Sequence, residues 1–174
     1  MKKIYSFISY IAIIATINTY AMQPERHSVF TALDTLMPEY GTAANWQAIF
    51  SFLQKLVYEG NIFTVNDYFS QYGLTLLCQA AEDDDFLATK ILLEQYNANP
   101  NKGTKSTGMT PLMIACHNGN IELVVLLLRH GANPSIKNKE GHDSFYFAQK
   151  YAQYDLLHDN TILRILKTYQ LQEK

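Results

Sequence analysis

From Gly108 to Asn138 the chain reads GMTPLMIACHNGNIELVVLLLRHGANPSIKN. Two apolar stretches, one starting at Pro111 and one at Ile121, are separated by a short polar break and bounded by polar turns. In the first, Leu112 and Ala115 share a helical face at i, i+3, and Ala115 is small enough for a second helix to lie close. The second is apolar on nearly every side, so it must be covered by more than one neighbour. The punctuation agrees with two short helices. Thr110 is placed to cap the first, and Pro111 suits the first helical position. Gly119 and Asn120 make the turn, with Asn120 as cap of the second helix. Gly131 can adopt the left-handed conformation that ends it, and Pro134 prevents its continuation.

The same design recurs upstream in GLTLLCQAAEDDDFLATKILLEQYNANPN, Gly73 to Asn101. Gly73, Thr75, Leu77 and Ala80 align with Gly108, Thr110, Leu112 and Ala115, and Ile91 to Leu93 align with Leu126 to Leu128. After one inserted residue, Ala98, Asn99 and Pro100 align with Ala132, Asn133 and Pro134. A third copy starts at Gly141, with Phe145 and Ala148 in the Leu112 and Ala115 places. A repeat whose helices cannot bury their own apolar faces must stack on its neighbours.

TPLMIA (110–115) and LLLRHGAN (126–133) resemble the ankyrin repeat family, in its T-P-L-H-x-A signature and in the end of its second helix with the following turn. The resemblance is firm over residues 73–141 and weaker over 46–72 and 141–171. It implies an all-α solenoid of stacked helix-turn-helix units with projecting β-turns or hairpins. The family's signature His is replaced by Cys78, Met113 and Tyr146 in the successive copies, so its ties between neighbouring turns do not carry over. Asn97 stands where the family's turn has glycine; Asn tolerates the left-handed conformation.

The flanking copies are worn. Leu53 and Leu56 take the Leu112 and Ala115 places, and Gly60 and Asn61 those of Gly119 and Asn120, which predicts helices near 43–58 and 62–71. A further short helix is expected over 26–37, ended by Pro38. At the other end Asp143 caps a predicted helix, and a final one places Ile162, Ile165, Leu166 and Tyr169 on one side. The expected division is a lead segment over 22–45 and repeats over 46–72, 73–107, 108–140 and 141–171.

Residues 1–21 read differently. Lys2 and Lys3 precede an apolar run from Ile4 to Ile17, and small residues stand at Thr19 and Ala21. That layout predicts a secretory signal peptide cleaved before Met22, hence export to a periplasmic or secreted location. Contact with a membrane is expected only through an uncleaved signal segment. The net charge of −2 gives no global pull toward nucleic acid.

Candidate chemistry is sparse. Gly103, Gly108, Met109 and Thr110 imitate a phosphate-binding loop, but Met109 replaces the lysine that reaches the outer phosphates. Gly108 and Thr110 are explained by their repeat positions, as Gly73 and Thr75 are in the copy before. His27, His117, His130, His142 and His158 have no metal-ligand spacing, and His117 and His130 fall at repeat positions that face solvent. The Asp83–Asp85 run lacks the glycine and closing glutamate of a calcium loop, and reads as a solvated helix–helix turn with Asp85 as cap. Cys78 and Cys116 occupy unequal repeat positions, which favours two free thiols over a disulfide. No nucleophile-and-base set stands out, and no cofactor, metal or catalytic site is expected.

The resemblance implies a protein-interaction module, most simply a monomer. Its contact positions correspond here to Ser106, Thr107, Met109, His117 and Asn118 in the best repeat, and to Leu74, Glu82, Asp83, Lys139, Glu140 and His142 in its neighbours. The partner protein is either a cell-envelope component, which the chain scaffolds, or a target met after release. A small hydrolase on this frame is the remote alternative. Lys102, Lys105, Lys137 and Lys139 are expected along one edge of neighbouring turns, available to steer an acidic surface.

Overall fold

The computed structural model describes residues 45–58, 65–67, 73–154 and 160–172. The expected signal peptide, the helix over 26–37 and most of the helix over 62–71 lie outside the described residues. The chain divides into two compact units, 1–64 and 65–174. In the first, helix α1 (Trp46–Tyr58) buries Ala48, Ile49, Phe52, Leu53 and Leu56. Leu53 and Leu56 are thus core residues, as their repeat positions predict.

Among the described residues the second unit contains three pairs of helices: α2 (Leu76–Glu82) with α3 (Phe86–Glu94), α4 (Pro111–Asn118) with α5 (Ile121–Arg129), and α6 (Ser144–Tyr154) with α7 (Thr161–Gln172). The described residues hold no strand. Within this unit α2 packs on α4 and α4 on α6 more intimately than α3 on α5 or α5 on α7. The first helices approach closely because their contact positions carry small residues, Ala80, Ala81, Ala115 and Cys116, all fully buried.

Side-chain caps set the helix starts. The hydroxyls of Thr75 and Thr110 accept from the N–H groups of Cys78 and Met113, at 3.1 and 3.3 Å. Asp85, Asn120 and Asp143 accept from the N–H groups of Ala88, Leu123 and Tyr146, at 2.8, 3.0 and 3.0 Å. Gly119 ends α4 in the left-handed region at φ 75°, and a Cβ there would lie 2.0 Å from Cζ of Tyr151 on α6. Asp84 takes the equivalent place after α2 at φ 53°, and Asn97 is left-handed at φ 51°. The inserted residue makes the turn closed after α3 one residue longer: Ala98 N–H reaches Leu92 O, whereas Ala132 N–H reaches Leu127 O.

The core follows the repeat. Leu76, Leu77, Leu92, Leu112, Met113, Leu123, Leu127 and Leu166 are all fully buried, as expected for a continuous core threaded through stacked units. In α6 the expected Phe145 is only half-buried, while Phe147 is buried and touches aromatic neighbours. In α7 Ile162 and Leu166 face the core, and Ile165 and Tyr169 are half-buried at its margin. Among the described residues no helix is long and apolar enough to cross a membrane.

Candidate functional site

The turns between helix pairs are short hairpins joined edge to edge. In the first, Thr104 N–H donates to Met109 O at 2.9 Å, and Gly108 N–H returns to Thr104 O at 2.8 Å. The Thr104 and Thr107 hydroxyls share a hydrogen bond at 2.8 Å. Gly103 stands across from Gly108, where a Cβ would lie 2.4 Å from the Gly108 carbonyl oxygen. Repeat alignment alone leaves Gly103 unexplained; the hairpin supplies the reason. Spaced glycines that imitate a phosphate loop here close a hairpin, and the N–H groups of Thr104 and Gly108 are used inside it.

The next hairpin is built on Asn138. Its side-chain oxygen accepts from the N–H groups of Glu140 and His142, at 3.0 and 2.9 Å. Its own N–H donates to His142 O at 2.8 Å. Adjacent turns are then bonded to one another: Lys105 N–H to Gly73 O at 2.8 Å, and Lys139 N–H to Thr107 O at 2.9 Å. Gly73 must lack a side chain because a Cβ would meet Lys105 Cβ at 2.4 Å. Beneath the hairpins runs an asparagine ladder. Asn66 Oδ1 accepts from Asn99 N–H, Asn99 Oδ1 from Asn101 N–H, Asn101 Oδ1 from Asn133 N–H, and Asn133 Oδ1 from Ser135 N–H. Such successive bonds fix the tips relative to one another, which preorganises whatever surface they present.

Two of the four lysines expected along this edge serve that framework. Lys139 Nζ donates to Lys105 O at 2.6 Å, and Lys102 Nζ donates to Asn66 O. Backbone carbonyls of the preceding turn therefore fix where these two ammonium groups stand.

Several predicted contact residues come together on this side. Ser106, Thr107, Lys139 and Glu140 are exposed at the tips. His142 stacks flat on Tyr146 at 3.6 Å between ring centroids, and Phe147 meets His142 and His117 edge-on at 6.2 and 6.0 Å. His142 Nδ1 lies 3.3 Å from a Glu140 carboxylate oxygen. Without Phe147 the clustering of His117 with His142 has no sequence signal, because they sit on different repeats. Met109 is half-buried at the hairpin base. Leu74, expected to be available for contact, is instead buried at 6% exposure and offers a partner little surface.

Glu82, Asp83 and Asn118 are placed elsewhere, at the turn that joins each helix pair. The Asp83–Asp85 run is more than a solvated turn. Asp83 accepts from Gln79 Nε2 at 2.9 Å, and Asp84 Oδ1 accepts from Asn118 Nδ2 and Asn120 Nδ2 at 3.3 and 3.4 Å. It thereby ties the inner turns of two repeats. Desolvation, aided by the negative charge of Asp83, holds the Glu82 carboxyl above its ordinary pKa. His130 is half-buried rather than fully solvent-facing, with Nε2 4.0 Å from Glu94. Among the described residues no group of histidine, cysteine and acidic side chains is arranged to hold a metal ion.

Cys78 and Cys116 are free and buried. Cys78 stands at the family's signature-His position, and its Sγ lies 3.6 Å from Lys102 O and 3.8 Å from Met109 O. The thiol therefore reaches the turn carbonyls and keeps a weak form of the tie whose loss its substitution predicts. Burial pushes the Cys78 pKa from 9.0 to about 11, against the opposing hydrogen bonds from Thr75. Burial also raises that of Cys116. Neither has the activated thiolate of a nucleophile.

The family model for ankyrin repeats, in three copies, matches residues 42–157. The chain is 33% identical over 89 residues to the ankyrin repeat and KH domain-containing protein mask-1 of Caenorhabditis elegans. It is 32% identical over 127 residues to the ankyrin repeat protein FPV115 of fowlpox virus (strain NVSL). It is 38% identical over 73 residues to the 2-5A-dependent ribonuclease of Homo sapiens. These matches cover 51%, 68% and 42% of this chain, but only 3%, 22% and 10% of the respective relatives. Because that model matches more than half of the chain, over the helix pairs and hairpins from α1 to α6, the chain belongs to the ankyrin repeat family of protein-interaction modules.

Proposed function

We propose that the chain is an exported binding module whose hairpin tips and adjoining first-helix surface dock a partner protein. The observation that carries this reading is the pair of tips bonded side by side, with Ser106 and Glu140 exposed and Glu140 in contact with His142 of the His117–Phe147–His142 aromatic cluster. A rigid surface with polar tips and aromatic side chains loses little entropy on binding, and that favours protein recognition. Export is supported by the basic start, short apolar run and small residues before Met22. The destination that follows is the cell envelope or the medium, and the chain acts there without catalysing a reaction.

The test is affinity capture of tagged chain from its native cells, beside a Ser106→Arg/His117→Glu variant. Both positions are exposed, so the variant should keep its circular dichroism spectrum. The reading expects a partner protein retained by the parent and lost by the variant. Equal capture by both would move the binding surface away from the tips. Intact mass of the exported chain should begin at Met22; a retained Met1 would remove cleavage from the account.

A further inference from the structure

The second helices α5 and α7 enclose a groove of about 390 Å3. It is separate from the hairpins and first helices considered so far. Half-buried Val125 and Ile165 form its less exposed part, and the exposed Arg129 and Arg164 reach it from the two helices. Thr168 and Tyr169 add hydroxyl groups. Among the described residues no acidic side chain lines the groove, and neither guanidinium has a hydrogen-bond or ion-pair partner. On a chain with 16 acidic residues and a net charge of −2, two exposed arginines beside an apolar strip offer positive charge to an external anion.

We propose that this groove docks an acidic protein segment, with carboxylates on Arg129 and Arg164 and a neighbouring apolar side chain against Val125 and Ile165. The planar guanidinium fork matches a carboxylate in two parallel hydrogen bonds. The apolar strip explains why the occupant is a protein segment and not a free anion, which would leave Val125 and Ile165 in water. An anionic membrane is a poorer match, because such surfaces hold proteins through clusters of several basic residues. The contact chemistry is therefore an aspartate or glutamate within a few residues of an aliphatic or aromatic one.

Full-length chain is used to select from a displayed library of random peptides, and one enriched peptide is labelled and titrated. The inference expects enriched peptides to combine acidic with apolar residues. It expects Arg129→Glu/Arg164→Glu to weaken the labelled peptide by about tenfold or more, with a smaller loss in Arg129→Lys/Arg164→Lys. Both arginines are exposed, so circular dichroism should be unchanged in either variant. Enriched peptides without acidic residues, or equal affinity for the charge-reversed chain, would overturn it. Vesicles of phosphatidylcholine with phosphatidylserine and sedimentation velocity of the chain alone complete the test. Vesicle binding or self-association abolished by Arg129→Glu/Arg164→Glu would overturn it in favour of a lipid surface or a second copy.

Discussion

Replacing Gly119 by alanine separates two costs that the structure predicts at one position. Gly119 is left-handed at φ 75°, and a Cβ there would lie 2.0 and 2.2 Å from ring atoms of Tyr151. Gly131 is left-handed too, at φ 83°, but a Cβ there would meet nothing within 4 Å. Gly131→Ala therefore pays only the backbone term, about 1–2 kcal/mol for an L-residue in that region. Gly119→Ala carries the same term and must also displace the Tyr151 ring. Tyr151 is half-buried and can swing outward, so the added loss is one partly buried aromatic contact, about 1 kcal/mol. The assay is urea unfolding followed by far-UV circular dichroism. With a slope of about 2 kcal/mol per molar, the extra term should lower the Gly119→Ala midpoint by roughly 0.5 M beyond that of Gly131→Ala. Removing the ring should recover it: Tyr151→Ala should cost less in the Gly119→Ala background than in the parent chain. Equal midpoints for the two alanine variants, with no coupling to Tyr151, would refute the close approach of α4 and α6 at this turn.

Other perturbations test other layers of the account. Leu127→Ala at a fully buried site on α5 should destabilise by about 2–5 kcal/mol in the same urea assay, and a smaller loss would mean a looser core than described. Thr110→Ala removes the α4 cap and should cost about 1 kcal/mol, with Thr110→Ser restoring most of it. Because burial raises both thiol pKa values, the neutral thiols favour the folded chain. That contribution is complete below about pH 9 and is lost as pH rises toward the Cys78 value of about 11. A Cys78→Ala/Cys116→Ala chain should therefore lose less stability than the parent between pH 9 and 11, and identical pH profiles would contradict the burial of these thiols.

The helix pairs were legible because each carries its own signals at fixed offsets. Thr75 and Thr110, Asp85 and Asn120, and Gly119 and Gly131 announce caps and ends in local sequence. Leu112, Ala115 and Leu127 announce a buried face. What was not legible depended on contacts across repeats. Gly103 has a role only because the Gly108 carbonyl stands opposite it, and Asp84 only because Asn118 and Asn120 reach it from the next pair. The lysine edge looked free in sequence, since nothing local reveals that Lys102 and Lys139 donate to carbonyls of a preceding turn. Leu74 followed a family position rather than a packing argument, and its burial shows the difference. The aromatic cluster that joins His117 to His142 required Phe147 to lie between two repeats.

We propose that the bonded hairpin tips and the adjoining first-helix surface form the partner-binding face. Hydrogen exchange of the full chain, alone and saturated with its captured partner, tests it most directly. Added protection is expected in 104–109 and 138–142 and around His117. Protection confined to α3 or α1, with those turns exchanging as in the free chain, would contradict it.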